Sequence, residues 1–351
     1  MRTCLVTGGA GFIGSNFVHF TLSHYDDVRV VNVDALTYAA NPASLDSVRD
    51  DPRYEFVHGN ICDRALVRRV VDEYSPDYVV NFAAESHVDR SIENPAAFVE
   101  TNVLGTISLL DAVRDAWASP RAGTAPTRRY LQVSTDEVYG SLSLDAPCEK
   151  FHPDSPLNPR SPYSASKASA DQFVKAYAET YGLPVNISRC SNNYGPYQHV
   201  EKFIPRQVTN LLNGGCGKLF GDGLNVRDWI HVEDHCSAIW AILTRGTPGR
   251  TYLVGADCER SNREVLAAVL QAMGREPDDF DYVRDRPGHD RRYALDASAT
   301  RVELGWEPAH RDFLVGLRET IAWYEENRSW WAGEKDETEA WYEVIGKRGE
   351  R

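Results

Sequence analysis

Short apolar runs rich in β-branched residues alternate with helix-period segments along this chain. The runs TCLVTG, VRVVNVD, YEFVHGNI, DYVVNFAAE and RYLQVST fall in the first 135 residues, and PVNISRC and TYLVGA follow later. Nearly continuous apolar strands separated by helices are typical of a parallel sheet that is covered on both faces. The pattern therefore predicts an α/β fold with a doubly wound parallel sheet.

The character of the sequence changes after about Ser191. Segments punctuated by glycine and proline, such as NNYGPYQHVEKFIPR and DRPGHDRRYALD, alternate there with amphipathic stretches. This composition predicts a smaller mixed α/β lobe at the C-terminal side. The expected division is a first domain at 1–190 with 228–258 returning to it, a second lobe at 191–227 and 259–325, and an acidic, aromatic tail at 326–351. We expect a helix with a solvated end in the tail, without a chemical role, and an exposed loop at 119–129.

Composition and charge narrow the possible partners. The chain has 351 residues, a formal net charge of −13, 42% hydrophobic residues and 25% charged residues. This charge argues against a nucleic-acid surface and against an anionic membrane, so a bound phosphate would need a few local cations and backbone amides. No stretch is expected to approach the roughly 20 apolar residues of a membrane span.

Cysteine and histidine usage points to a chain without structural metal or disulfides. The seven cysteines stand singly, with no CxxC pair, which is typical of reduced thiols and predicts a cytoplasmic location. The ten histidines include no HExxH motif and no pair at ligand spacing on one predicted helix. We therefore expect no metal site.

A glycine-rich turn follows the first predicted strand in VTGGAGFIGSN. Its glycines Gly8, Gly11 and Gly14 have the spacing GxxGxxG, which allows a tight turn, close approach of a pyrophosphate and a helix N-terminus behind it. Asp34 ends the second predicted strand, where an acid bonds a ribose 2′-hydroxyl and repels a 2′-phosphate. The turn predicts a Rossmann-type domain that binds NAD rather than NADP, although such turns also close strands for steric reasons alone.

Two further strand ends reach the same predicted edge of the sheet. GNICD at 59–63 and FAAESH at 82–87 end the third and fourth strands, where ligands of open α/β folds bind. Asp63 is expected near the adenine, and Ala83 and Ala84 beside the adenosine and phosphates. The other expected cofactor contacts are Phe12, Ile13, Leu36, Thr37, Asn60, Ile61, Phe82, Ser86, Thr101 and Asn193.

The motif YSASK places Tyr163 and Lys167 four residues apart. On a helix the two side chains share a face and can meet at one reacting group. A neighbouring ammonium and a positive nicotinamide both favour the phenolate, so we expect a lowered Tyr163 pKa suited to removing an alcohol proton. Both residues are also expected at the cofactor. A surface tyrosine beside a solvated lysine is the alternative.

These motifs together resemble the extended short-chain dehydrogenases/reductases, from Val6 to about Tyr324. Within that group the chain is similar to the family of dTDP-glucose 4,6-dehydratases, through STDEVYG, AAESHVDRSI, RCSNNYGPYQHVEKFIPR, RDWIHVEDH and DRPGHDRRYALD. The resemblance implies oxidation of a sugar at C4, loss of water across C5 and C6, and return of the hydride to C6, so that NAD is regenerated. It also implies a homodimer joined through helices beside the first domain.

Two adjacent acids, Asp136 and Glu137, end the fifth predicted strand. Dehydration of a 4-ketosugar needs a base at C5 and an acid at C6, and adjacent carboxyls can divide these tasks because repulsion and burial raise one pKa. The resemblance assigns the base to Glu137 and the acid to Asp136, with Thr135 bonding the C4 oxygen beside Tyr163. The alternative is that the acids only cap the next helical turn.

The substrate side must hold a diphosphate within an acidic protein. Lys202, Arg227 and Arg286 are the candidate cations, and Phe220 can stack on the base. The other expected substrate contacts are Ser86, Thr135, Asn192, Phe203, Lys218, Asn262, His289 and Asp290. Phe203 and Phe220 replace the leucine and tyrosine common in the family, which leaves the choice between dTDP and UDP open.

Three classes of function remain at this point. The first is the dTDP-glucose 4,6-dehydratase, and the second is a related enzyme: a UDP-glucose 4,6-dehydratase, a 4-epimerase or a uronate decarboxylase. The paired acids argue against the epimerase, and the acids together with RPGHD argue against the decarboxylase. The third class is a non-catalytic NAD-binding regulator, which would not need Thr135, the two acids, Tyr163 and Lys167 together.

Overall fold

A computed structural model of the protein describes residues 1–118, 128–285 and 290–348. Most of the loop expected at 119–129, and the expected substrate residues Arg286 and His289, lie outside the described residues. The strands are β1 Arg2–Thr7, β2 Val28–Asp34, β3 Tyr54–His58, β4 Tyr78–Asn81, β5 Arg129–Thr135, β6 Val185–Cys190, β7 Asn192–Tyr194, β8 Gly217–Phe220, β9 Val226–His231, β10 Thr251–Val254, β11 Glu259–Ser261 and β12 Phe280–Val283.

The helices alternate with the strands over the first half of the chain. They are α1 Phe12–His24, α2 Arg64–Tyr74, α3 Val88–Glu93, α4 Pro95–Phe98, α5 Gly105–Trp117, α6 Pro162–Tyr181, α7 Phe203–Leu212, α8 Val232–Arg245, α9 Asn262–Ala272, α10 Ser298–Leu304, α11 Phe313–Glu326 and α12 Arg328–Arg348. Short 3-10 turns lie at Pro42–Val48 and Asp136–Tyr139, and a π turn lies at Val99–Leu104.

Seven strands form one parallel sheet in the order β10-β6-β5-β4-β1-β2-β3. Alternate residues of a strand enter different cores: Val6 packs with α1 and α8, whereas Leu5 packs with α2 and α5. Both faces are covered because the strands carry apolar residues on both sides. The predicted α/β fold with a doubly wound parallel sheet is confirmed.

Two smaller sheets lie in the second half of the described chain. Strands β11, β9 and β7 form one, and β12 pairs with β8 in the other. A third core of α7, α9 and α11 packs around Leu219, Trp229 and Leu317. Within 228–258, β10 and α8 join the large sheet and its covering helices, whereas β9 lies in the three-stranded sheet.

One continuous helical run, Pro95–Trp117, is long and apolar enough to cross a membrane by length and composition. The expectation that no stretch approaches such a span is therefore wrong for these 23 residues. In the fold, 56% of the most apolar window of this run is buried, and α5 packs against α2 and α6. Its apolar character follows from its position in the core.

The tail forms a helix, as its sequence predicts, but much of α12 is docked rather than solvated. Trp331 is fully buried in the third core, and Lys335 and Thr338 are buried further along the helix. The spacing of these three residues puts them on one face of α12. The tail therefore belongs to the folded body.

Candidate active site

A cavity of about 330 Å³ opens at the edge of the large sheet where β1, β2, β4, β5 and β6 end. Ligands of open α/β sheets bind at this carboxyl edge. The cavity runs from the turn after β1 to the ends of β5 and β6 and the start of α7. It therefore joins the glycine turn to the paired acids.

Two glycines of the turn after β1, Gly8 and Gly14, leave no room for a side chain. Gly8 has a φ of +74°, and a Cβ on it would lie 2.6 Å from the backbone nitrogen of Ala83. A Cβ on Gly14 would lie 2.2 Å from the carbonyl oxygen of Gly8. The turn thus brings β1, β4 and the N-terminus of α1 close together, and the first amides of α1 can face an anion. This arrangement fits a dinucleotide pyrophosphate.

Asp34 lies buried in the cavity wall at the end of β2. Its carboxylate accepts hydrogen bonds from the backbone N–H of Ala10 and of Leu36, both at 2.8 Å. Burial raises the pKa of Asp34 despite these two bonds. Each oxygen retains a lone pair, so the carboxylate can still accept from a ribose hydroxyl.

Most residues expected at the cofactor line this cavity. They are Gly8, Gly11, Phe12, Ile13, Gly14, Asp34, Thr37, Asn60, Ile61, Phe82, Ala83, Ala84, Ser86, Thr101, Tyr163, Lys167 and Asn193. Two others, Leu36 and Asp63, are not in the lining of the described residues. Leu36 contributes its N–H to Asp34, and Asp63 caps α2 by accepting from the N–H of Ala65 and Leu66.

Helix α6 brings Tyr163 and Lys167 to the cavity. Pro162 occupies the first position of the helix, and a capping box of Ser161 and Ser164 fixes its start. The ammonium of Lys167 is buried and donates to the carbonyl of Val133 at 2.7 Å, and burial lowers its pKa. Both side chains line the same cavity, as the spacing predicts.

The protein by itself raises the pKa of Tyr163, contrary to the expected lowering. Burial is the largest cause, the negative charge of Glu137 adds to it, and a hydrogen bond with Thr135 acts in the opposite direction. The ammonium of Lys167 does not outweigh these effects. A lowered Tyr163 pKa would therefore need further positive charge, such as that of an oxidised nicotinamide.

Thr135 caps the 3-10 turn that carries the two acids. Its Oγ1 accepts from the N–H of Glu137 at 3.3 Å and donates to Oδ1 of Asp136 at 3.2 Å. The cap is thus the threonine, and capping does not account for the acids. Asp136 is 2% exposed, and among the described residues its Oδ2 has no hydrogen-bond partner.

The surroundings of Asp136 favour its protonated form. Burial is the first cause that raises its pKa well above the ordinary value, and the charge of Glu137 is the second. Arg227 lowers this pKa in part, which shows that its guanidinium lies within electrostatic reach of Asp136. A buried carboxyl that keeps its proton at neutral pH can donate it to a leaving group.

Several expected substrate residues line the cavity on the side of α7. They are Ser86, Thr135, Asn192 and Lys202. The ammonium of Lys202 lies 3.4 Å from Oε1 of Glu201 and 3.5 Å from the carbonyl of Ser86. Asn193 is fixed by Oδ1 to Nδ1 of His235 at 2.9 Å and by Nδ2 to the carbonyl of Ser191 at 3.0 Å.

Arg227 and Asp290 form a buried group beside the acids. Two guanidinium nitrogens of Arg227 donate to the carbonyls of Val226 at 2.8 Å and Asp290 at 2.9 Å, and the guanidinium lies 4.3 Å from the centre of the Tyr293 ring. The carboxylate of Asp290 accepts from the Tyr293 hydroxyl at 2.5 Å. Within the described part of the chain these contacts use two of the five N–H donors of Arg227, and its charge acts on Asp136.

Six expected substrate residues are not in the cavity lining of the described residues: Arg227 and Asp290, which form the buried group above, and Phe203, Lys218, Phe220 and Asn262. Phe203 packs on the third core with its ring 6.4 Å from that of Trp229. Lys218 pairs with Asp281 at 2.5 Å. Phe220 ends β8, and Asn262 begins α9.

The cavity lining also contains polar residues that the sequence did not predict, among them Glu85, Gln198, His199 and Glu201. Glu201 is buried, with Oε2 3.6 Å from Nε2 of His87 and 3.9 Å from Nε of Arg90, and His199 precedes it in the same wall. The polar run HVEK at 199–202 is the sequence signal for Glu201 and His199, and only Lys202 of this run is predicted above.

A histidine cluster lies outside the cavity. His231, Glu233 and His310 have potential ligand atoms within 4.8 Å of one another. The two imidazoles stack, with ring centres 3.9 Å apart and planes 28° apart, so their in-plane lone pairs run nearly parallel and do not converge on one ion. His310 lies 3.3 Å from Asp234 and 3.5 Å from Glu319, and Asp234 raises its pKa. The cluster fits an ion-pair network.

Comparison with known proteins agrees with this site. The family profile described as GDP-mannose 4,6 dehydratase matches residues 5–320. The dTDP-glucose 4,6-dehydratase of Mycolicibacterium smegmatis is 54% identical over 343 residues, covering 98% of this chain and 99% of that protein.

Two solved structures are similar over 95% of this chain and all of their own. The dTDP-glucose 4,6-dehydratase of Streptomyces venezuelae, with NAD bound, is 48% identical with a TM-score of 0.88. That of Bacillus anthracis, in complex with NAD, is 47% identical with a TM-score of 0.86. The chain belongs to the family of dTDP-glucose 4,6-dehydratases.

Proposed function

We propose that this chain is an NAD-dependent enzyme that converts dTDP-α-D-glucose to dTDP-4-dehydro-6-deoxy-α-D-glucose and water. The observation that carries the proposal is the position of Thr135, Asp136 and Glu137 in the same cavity as Tyr163 and Lys167. Hydride-transfer residues and an acid pair thus face one space. The names of the relatives agree with this activity.

The cavity lining offers suitable groups for each part of NAD, from the adenosine ribose to the nicotinamide. The glycine turn and the N-terminus of α1 would hold the pyrophosphate, and Asp34 would bond the adenosine ribose. When bound, NAD accepts the hydride from C4 and gives it back at C6. Asn193 and Lys167 lie at the other end of the cavity, where they would bond the carboxamide and the nicotinamide ribose.

Oxidation at C4 requires removal of the hydroxyl proton. Tyr163 is the base for this proton, and Thr135 bonds the same oxygen because its hydroxyl lies beside the phenol. Lys167 fixes the end of β5 through the carbonyl of Val133, which keeps Thr135 and Tyr163 in position.

Water loss follows from the division of work between the acids. A ketone at C4 acidifies the C5 proton, which Glu137 removes as general base. Burial and the charge of Glu137 raise the pKa of Asp136, so its protonated form is favoured and can donate a proton to the C6 hydroxyl, which leaves as water. When the hydride adds at C6, Glu137 gives its proton back to C5, and the proton that Tyr163 took from the C4 hydroxyl replaces the one that Asp136 lost. A 4-epimerase breaks no bond at C6 and has no use for such an acid.

Purified protein and dTDP-glucose, without added reductant, provide the test. The product should be lighter than the substrate by one water, with no net reduced NAD. A product of unchanged mass would favour epimerisation, and loss of carbon dioxide from a uronic acid would favour decarboxylation. Faster turnover of UDP-glucose than of dTDP-glucose would favour a UDP-glucose 4,6-dehydratase. No turnover of any of these sugar nucleotides would favour the non-catalytic regulator.

The proposed substrate lobe is formed by 191–227 and 259–325, and the proposed cofactor domain by 1–190 with 228–258. The separate small sheets and the third core support this division. Lys202, Arg227 and Arg286 are the proposed cations for the diphosphate. Arg227 supports this assignment best, since it is buried and its charge acts on Asp136.

The proposed assembly is a homodimer in the cytoplasm. Exposed apolar side chains beside the large sheet support a dimer contact. Val99 is 51% and Leu104 54% exposed on the π turn that packs against α6, and a second copy of the chain would cover them. All seven cysteines are free thiols, which supports a reducing compartment.

The unmodified protein should have twice the chain mass of 39.4 kDa, measured by light scattering after gel filtration. Replacement of both Val99 and Leu104 by glutamate should reduce the measured mass to that of one chain. Val302→Glu is the matched control, because Val302 is 85% exposed on α10, away from these helices. A monomeric unmodified protein, or a double variant that stays dimeric, would contradict the proposed interface.

A further inference from the structure

The C-terminal helix α12 is hydrogen-bonded to the segment after β2 that contains Asn41 and Ser44. Nε1 of Trp330 donates to Oγ of Ser44 at 3.1 Å. The side-chain amide of Asn41 donates to the carbonyl of Trp330 at 3.2 Å and to Oε1 of Glu334 at 2.9 Å. Two successive turns of α12 thus hold one asparagine.

Asn41 connects α12 to the glycine turn. Its backbone N–H donates to the carbonyl of Ala10, which lies between Gly8 and Gly11, at 3.0 Å. The two residues before it, Ala39 and Ala40, line the cavity. Movement of Asn41 would therefore move both the cavity wall and the phosphate-binding turn.

The same helix also reaches the wall before α7. Oε2 of Glu334 lies 3.6 Å from Nε2 of His199. Further along α12, the hydroxyl of Tyr342 lies 3.4 Å from the carbonyl of Glu201 and 3.5 Å from Nε2 of His87. Since His199 and Glu201 line the cavity, α12 bridges two parts of its wall.

Helix α12 is anchored on α7 independently of these contacts. Arg206 donates two hydrogen bonds to the carboxylate of Glu339, at 3.0 and 2.9 Å. Lys335 donates to Oδ1 of Asn210 at 2.5 Å, and Trp331 is fully buried. Loss of the Glu334 contacts should therefore loosen the cavity wall without detaching the whole helix.

We propose that Glu334 is a positioning residue for NAD. Its carboxylate contacts both Asn41 and His199, and we call this link the Glu334 bridge. The bridge has to open before NAD leaves. The inference rests on the proposed binding of NAD. Glu334 acts through its neighbours, because it is not in the lining formed by the described residues.

The environment of Glu334 makes the bridge sensitive to pH. Burial raises its pKa to about 7, and the charges of Glu337 and Glu201 add to this effect. The other groups that face it are His199, whose own pKa is lowered by burial, and Tyr324 on α11. A raised carboxyl pKa in the closed bridge means that protonation favours closure, so closure weakens as pH rises through about 7.

The experiment measures the rate of NAD release from the full-length holoenzyme by stopped flow, with excess unlabelled NAD chasing a fluorescent NAD analogue, between pH 6 and pH 8.5. Release should be faster at the higher pH.

Glu334→Gln keeps the acceptor for Asn41 and removes the charge, so NAD release from this variant should be slow and independent of pH. Glu334→Ala should release NAD about tenfold faster at pH 6, since it loses a buried hydrogen bond. Asp336→Ala, on an exposed position of the same helix, should match the unmodified protein.

Equal release rates for all four proteins, or a pH dependence that Glu334→Gln retains, would overturn the inference. If Glu334→Ala does not fold, the pH profile of Glu334→Gln alone decides the outcome. A protein that binds no NAD at all would instead contradict the proposed function, so the two failures are distinguishable. The positioning role also predicts that kcat changes less than the dissociation constant for NAD.

Discussion

Two protons at the reacting end of the cavity have to move in opposite directions. Burial raises the pKa of both Asp136 and Tyr163. A high pKa suits Asp136, which donates a proton, and it opposes Tyr163, which accepts one. The sequence motif identified both residues, but it did not reveal that the protein alone works against the phenolate. That balance depends on three-dimensional burial, and a bound nicotinamide is the group whose positive charge can reverse it.

Asp136→Asn should separate oxidation from water loss. An asparagine keeps the shape and the hydrogen bond with Thr135, but it cannot donate a proton to the leaving hydroxyl. We expect dehydration to slow by about 100-fold or more, while reduced nicotinamide accumulates during a single turnover. Absorbance of the reduced cofactor and mass spectrometry of the sugar measure the two steps. Asp145→Asn, on an exposed loop, is the control, and normal dehydration by Asp136→Asn would remove this residue from the acid role.

At the scale of elements, the sequence was most informative where a local pattern determines the structure. The apolar strands, the turn after β1 and the Tyr163–Lys167 face of α6 depend on neighbours in the chain, and the structure contains all three. Asp63 shows the limit of such reasoning. It stands at a strand end in the sequence, yet its carboxylate is used by the first amides of α2.

Gly8→Ala tests the glycine turn as a structural unit. The new Cβ would lie 2.6 Å from the backbone of Ala83, and a φ of +74° is costly for alanine. We expect the free energy of unfolding to fall by at least about 1 kcal/mol, together with loss of NAD binding. Gly182→Ala is the matched control, because Gly182 has a φ of +66° and no other described atom lies within 4 Å of its added Cβ.

Denaturant titration and NAD titration separate the two effects. Gly182→Ala should lose stability through backbone strain alone and keep its affinity for NAD. If Gly8→Ala binds NAD as tightly as the unmodified protein, the turn does not contact the cofactor in the way proposed here.

At the scale of the whole molecule, the site is assembled from segments that are distant in the sequence. Glu201 and His199 were missed because their importance arises only when α7, the loop at His87 and helix α12 meet. The docked tail was missed for the same reason, since its buried face is visible only against the third core. Lys218, predicted as a substrate contact, is paired with Asp281 and is not in the cavity lining of the described residues. Local motifs thus predicted the residues that meet in the cavity at the ends of β5 and α6 better than those of its outer walls.

The most direct test of the central claim follows the hydrogen at C4. A mixture of dTDP-glucose deuterated at C4 and unlabelled substrate carrying a ¹³C mark should be converted with enzyme and no added reductant. The account predicts loss of one water, with deuterium at C6 of the same molecules that carried it at C4. Deuterium that stays at C4, is washed out to solvent or crosses to the ¹³C-marked product would contradict a hydride that is removed and returned within one active site.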